Sequence, residues 1–125
     1  MRTKFVLLLA AAVLAVALML TVAASSGGSS SAPRASATKS VSVEDDFFSP
    51  KTRSIARGDK VVWRWKGFND HNVRFRSAPS GAKRPKGSTT KSSGRFARTF
   101  SRRGTYRYVC TIHEDSGMKG RVAVR

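Results

Sequence analysis

The chain after its first 24 residues predicts an all-β fold, a sandwich or barrel of seven or so short strands. Apolar residues recur at every second position through most of residues 40–124, the period of a half-buried strand. Gly, Pro, Asn and Asp break these runs at close spacing, as turns between short strands do. No segment after residue 24 has the period of a substantial helix.

The N-terminal segment comes first. Met1, Arg2, Thr3 and Lys4 make a short basic start, residues 5–20 are an unbroken apolar run, and Val22-Ala23-Ala24 supplies small residues. That order is a secretory signal peptide. The competing reading of residues 5–24 is a retained membrane anchor, since about 20 apolar residues span a bilayer. Both place the rest of the chain outside the cytoplasm. Residues 25–38, rich in Ser, Gly and Ala, have almost nothing to bury and predict a flexible linker. Residues 39–125 suffice for one small domain.

Within that domain, Ser40 to Val43 alternates with Val41 and Val43 on one face. Phe47 and Phe48 lead to Pro50, which marks a bend or an edge. Arg57-Gly58-Asp59 is a turn, and Lys60 to Lys66 places Val61, Trp63 and Trp65 on one face. Residues 66–70 connect to a strand with His71, Val73 and Phe75 inward and Asn72, Arg74 and Arg76 outward. Residues 77–94 are basic and carry Pro79, Gly81, Pro85 and Gly87, so they predict a long mobile surface connection. Phe96 to Phe100 is a strand and Ser101-Arg102-Arg103-Gly104 a hairpin turn. Tyr106, Tyr108 and Cys110 then share a face, and Met118-Lys119-Gly120 opens a last strand with Val122 and Val124 inward.

The supply of soft and imidazole ligands after residue 24 is small. It comprises Cys110, His71, His113 and Met118. Three of them fall in the spacing Cys110-x2-His113-x4-Met118. One cysteine cannot form an internal disulfide, and a lone thiol in an oxidising compartment needs burial or a ligand. Each residue alone has an ordinary structural reading: a small buried hydrophobe, two hydrogen-bonding histidines and a core-filling thioether. Together they are the donors of a mononuclear electron-transfer copper site, two imidazoles and a thiolate in a plane with a weak axial thioether. Zinc also takes Cys and His, but a thioether suits copper better. Cys110 ends a strand, and the following loop, with Gly117 and Gly120 permitting sharp turns, returns His113 and Met118 to the same point.

The run Gly104-x-Tyr106-x-Tyr108-x-Cys110-x2-His113-x4-Met118-x-Gly120-x-Val122-x-Val124 resembles the C-terminal signature of the plastocyanin-like cupredoxins, the type 1 blue copper proteins. Phe48-x-Pro50, Gly58-Asp59-x-Val61-x-Trp63 and Asp70-His71-Asn72-Val73 agree with it. The resemblance implies a cupredoxin-like Greek-key β-sandwich with one copper ion at one end. It implies strong binding by His71, Cys110 and His113 and a longer axial bond from Met118. It also implies that Asn72 hydrogen-bonds near the cysteine and stiffens the site. In many members apolar residues surround the exposed C-terminal histidine and form a docking patch. Here Glu114 and Asp115 follow His113 directly.

The leading functional reading is a monomeric, extracytoplasmic one-electron carrier. The alternative is a copper module for storage, delivery or sensing, but the chain has no Met-rich or His-rich tract. An enzyme is not expected, because both histidines are used and none remains for a second copper centre or a Ser-His-Asp arrangement. The net charge is +17; residues 1–24 hold Arg2 and Lys4, so the remainder carries 22 basic and 7 acidic residues, or +15. Such a field favours an acidic redox partner, or an anionic membrane or cell-wall surface. Trp63 and Trp65 share the apolar phase of Val61, so they read as core and not as a nucleic-acid stacking platform; no nucleic acid is expected.

Overall fold

The computed structural model describes residues 27–29 and 31–125, so the signal or anchor predicted for residues 1–24 lies outside the described residues. The packed unit is Pro33–Arg125. Its strands are β1 (Thr38–Glu44), β2 (Phe47–Ser49), β3 (Thr52–Ile55), β4 (Lys60–Trp65), β5 (Arg74–Ser77), β6 (Arg95–Thr99), β7 (Gly104–Val109) and β8 (Lys119–Val124). They form two four-stranded sheets, ordered β2-β1-β4-β6 and β3-β8-β7-β5. This is an all-β Greek-key sandwich, and no helix occurs among the described residues.

The alternation read from the sequence sets the faces. Val41 pairs with Trp63 and Val43 with Trp65 across the parallel β1–β4 ladder. These side chains meet Phe75, Tyr106, Tyr108, Val122 and Val124 of the other sheet in one core. Trp63 is its centre: Tyr108 stands edge-on at 5.3 Å and Phe75 at 5.9 Å between ring centroids. Aromatic pairs at such spacing add about 0.5–1.5 kcal/mol each beyond burial.

Three expectations change, and one strand was not expected at all. β3 carries a single buried apolar residue, Ile55, and gave no alternation to read. It holds its place by pairing in parallel with β8. Ser101 to Gly104 is no hairpin, because β6 pairs with β4 while β7 pairs with β5 and β8. The segment crosses between sheets, and the Tyr106 hydroxyl fixes it by donating to the Arg102 carbonyl at 3.2 Å.

Residues 78–94 do form a long and mostly exposed connection, but it is anchored at its far end. The Val73 amide donates to Ser88 Oγ at 2.9 Å, the Ser88 amide donates to the Val73 carbonyl at 2.9 Å, and Lys91 pairs with His71 in an isolated bridge. Finally, Gly120 lies inside β8 opposite Tyr108, not in a turn. A Cβ there would come within 2.5 Å of the Tyr108 ring, so the requirement is space for the aromatic side chain.

Candidate metal centre

Three segments converge at one end of the sandwich. His71 precedes β5, and its backbone exchanges two 3.0 Å hydrogen bonds with Lys91. Cys110 follows β7 and is fully buried. The chain then folds back on itself. The Cys110 amide donates to the Met118 carbonyl at 3.0 Å, the His113 amide to the Cys110 carbonyl at 3.2 Å, and the Met118 amide to the His113 carbonyl at 3.1 Å. Gly117, with φ 86°, takes the left-handed conformation that lets this short loop close. These bonds bring His113 and the fully buried Met118 back beside Cys110.

The donor atoms form a triangle. Cys110 Sγ lies 3.8 Å from His71 Nδ1 and 3.7 Å from His113 Nδ1, and the two imidazole nitrogens are 3.1 Å apart. The point equidistant from all three is about 2.1 Å from each, within the ~2.0–2.3 Å of metal–imidazole and metal–thiolate bonds. The donor set and its spacing therefore fit a copper ion. His71 is wholly buried, whereas the His113 side chain is 24 % exposed.

Asn72 departs from the alternation that would turn it to solvent. It is buried, because its strand has not yet begun and residues 88–91 cover it. Its Oδ1 accepts from the Thr111 amide at 2.9 Å, and its Nδ2 donates to Thr111 Oγ1 at 2.8 Å and Thr90 Oγ1 at 3.0 Å. It thus ties the residue after Cys110 to the segment that carries His71.

Sequence reasoning passed over the turn between β1 and β2. Asp45 Oδ1 is 3.1 Å from His71 Nε2, and it also accepts from the Phe68 and Asn69 amides at 3.0 and 2.9 Å. The amides of Asn69 and Phe68, then the His71 ring, hold the Asp45 carboxyl down at about 2. The neighbouring Asp46 Oδ1 is 3.4 Å from His113 Nε2. An adjacent acidic pair is visible in the sequence, but nothing local links it to histidines so far along the chain. Glu114 is engaged by the Arg76 guanidinium of β5, which lowers its carboxyl below the usual range. Among the described residues the large exposed hydrophobics lie beside these contacts: Phe47 follows Asp46, Phe68 is in the loop before His71, and Ile112 precedes His113.

Residues 36–125 match the family described as copper binding proteins, plastocyanin/azurin family. The plastocyanin of Prochlorothrix hollandica is 35% identical over 101 residues, covering 74% of this chain and 77% of the relative. Amicyanin-alpha of Methylorubrum extorquens is 34% identical over 90 residues, 72% of this chain and 73% of the relative. The solved structure of oxidised plastocyanin from Dryopteris crassirhizoma aligns with a TM-score of 0.61 and 25% identity, over 70% of this chain and 100% of that one.

Proposed function

The chain belongs to the plastocyanin/azurin family of copper-binding proteins, and from that premise we propose that it is an exported one-electron carrier. Its cofactor is one copper ion, which His71, Cys110 and His113 would hold, with Met118 as a weaker thioether donor. The observation that carries this reading is the donor triangle, set by backbone bonds at a size that suits the metal. Bound copper supplies a one-electron couple between Cu(I) and Cu(II).

The chain's own residues keep the cost of that exchange low. Cys110, Met118 and His71 are buried, and the loop bonds and Asn72 hold them, so little has to move when charge changes. His113 reaches the surface beside the exposed Ile112 and is the natural edge for electron entry and exit. The partner is a redox protein docking there. The excess of basic residues favours an acidic one, and the apolar N-terminus places the meeting outside the cytoplasm. With no third histidine, the chain has no set for a second copper centre, which supports a carrier over an enzyme.

Titration of the purified protein with Cu(II), followed by visible absorption, tests the reading. One equivalent gives an intense blue band from thiolate-to-copper charge transfer, and Cys110→Ala abolishes it. A Cys110→Ala protein that stays blue overturns the assignment.

A further inference from the structure

We propose that Asp45 is a positioning residue for the metal centre: its carboxylate accepts the His71 Nε2–H, fixes the ring so that Nδ1 faces Cys110 and His113, and lowers the reduction potential. The inference rests on the copper reading above.

The geometry has three parts. The Asp45 Oδ1 to His71 Nε2 distance is 3.1 Å, while the opposite ring nitrogen, Nδ1, belongs to the donor triangle. One imidazole therefore joins carboxylate to metal site, and the proton on Nε2 leaves the Nδ1 lone pair free for the metal. The carboxylate is itself held. The Phe68 and Asn69 amides bind Oδ1, and Phe68 also reaches Oδ2 at 3.1 Å, so the acceptor cannot swing away. The third part is Gly67. A Cβ there would come within 2.3 Å of Asp45 Oδ1, so only glycine lets the loop close over the carboxylate. His71 is fully buried and the Asp45 side chain is one-third exposed, so solvent screens this pair only in part.

An anionic acceptor makes the imidazole a stronger donor, and a stronger donor favours Cu(II) over Cu(I). Asp46 supplies an internal comparison. It is also an acid beside a candidate ligand, but it stands 3.4 Å from His113 and its side chain is 59 % exposed. Its charge is better screened and its contact weaker.

The experiment measures the reduction potential and Cu(II) affinity of the full exported protein and of Asp45→Asn, Asp46→Asn and Gly67→Ala. Loss of such an outer partner typically costs 10–100-fold in metal affinity. If Cu(I) binding is unchanged, Asp45→Asn raises the potential by about 60–120 mV, at 59 mV per tenfold for one electron. Gly67→Ala shifts it in the same direction by displacing the carboxylate, and Asp46→Asn shifts it less.

A purely structural Asp45 would lower the melting temperature of Asp45→Asn and leave the potential where it was; that result overturns the proposal. Equal shifts in Asp45→Asn and Asp46→Asn also overturn it, because net charge alone would then suffice. A metal-free readout separates this inference from the copper reading. In the apoprotein, nitrogen-15 NMR should find the His71 proton on Nε2, slow to exchange, and Asp45→Ala should release it. An Nδ1-protonated His71 in the wild type sinks the proposal, whereas failure to turn blue with copper sinks only the reading beneath it.

Discussion

Met118 and Asn72 both hold the Cys110 segment and should fail differently when replaced. Met118 is buried, and its backbone closes the loop whatever its side chain is. Met118→Leu should therefore keep the fold and the blue colour while the potential rises, since a weak thioether donor is lost. Cyclic voltammetry checks this, and an unchanged potential removes Met118 from the coordination sphere. Asn72→Ala leaves the Thr111 amide without its acceptor. Thr111 is exposed, so water can take the place of the lost acceptor and the cost is that of one net hydrogen bond, about 0.5–1.5 kcal/mol. Denaturant unfolding of the apoprotein should fall by about that amount, and copper should dissociate faster from the loosened loop. The candidate donors His71, Cys110, His113 and Met118 can be read from the sequence because they exhaust the soft and imidazole side chains after residue 24. Asp45 cannot, because its role depends on partners that only folding brings near; Asn72 is readable only through the family resemblance, since alternation would turn it to solvent.

At the scale of elements, the turn between β3 and β4 is held by one carboxylate. Asp59 is buried, accepts from the Ala37 amide at 2.9 Å and the Ala56 amide at 3.0 Å, and pairs with Arg34 at 2.8 Å. It thereby ties the chain just before β1 to the turn, within the segment that composition alone marked as a linker. The Arg34 guanidinium first, then the Ala37 amide, bring its carboxyl from 3.8 to about 2. A carboxyl lowered by folding stabilises the fold above its unfolded pKa and loses that contribution as pH falls through the folded value. Asp59→Asn should thus be less stable than wild type at pH 7, with the gap narrowing from about pH 4 and closing near pH 2. Thermal melts across that range test it; a gap that stays constant with pH refutes the ionic role. The strands with clean alternation, β1, β4 and β7, were legible for the same reason that they are stable, namely one buried face. β3 and the crossing from β6 to β7 were not, because ladder pairing and sheet choice leave no periodic mark.

For the whole molecule, charge is the dominant feature and it is unevenly placed. Of the seven acidic residues, Glu44, Asp45 and Asp46 lie at the turn beside the histidines, Asp70 precedes His71, and Glu114 and Asp115 follow His113; only Asp59 lies elsewhere. Basic residues crowd positions 74–107. On the proposed reading, long-range steering toward an acidic partner and short-range docking at His113 would pull in different directions. Electron-transfer rates with an acidic cytochrome should fall steeply as salt rises, given a Debye length of about 8 Å at physiological ionic strength. Replacing Lys83, Arg84 and Lys86 with Gln should flatten that dependence without altering the copper spectrum. Asp70→Asn with Asp115→Asn should raise the low-salt rate if His113 is the docking edge. Stopped-flow mixing at several salt concentrations measures all three, and a salt-independent wild-type rate removes steering.

Composition and alternation by themselves determined that residues 40–124 form short strands around an aromatic core, because burial of one face requires period two. They also narrowed the candidate donors to four side chains, because soft and imidazole ligands are few in this chain after residue 24. The tertiary structure alone decided which strands share a sheet, that residues 88–91 cover the metal end, and that the Asp45–Asp46 turn backs both histidines. Those are contacts between segments distant along the chain. Their energy depends on where the backbone passes in space, and no local pattern of residues encodes that.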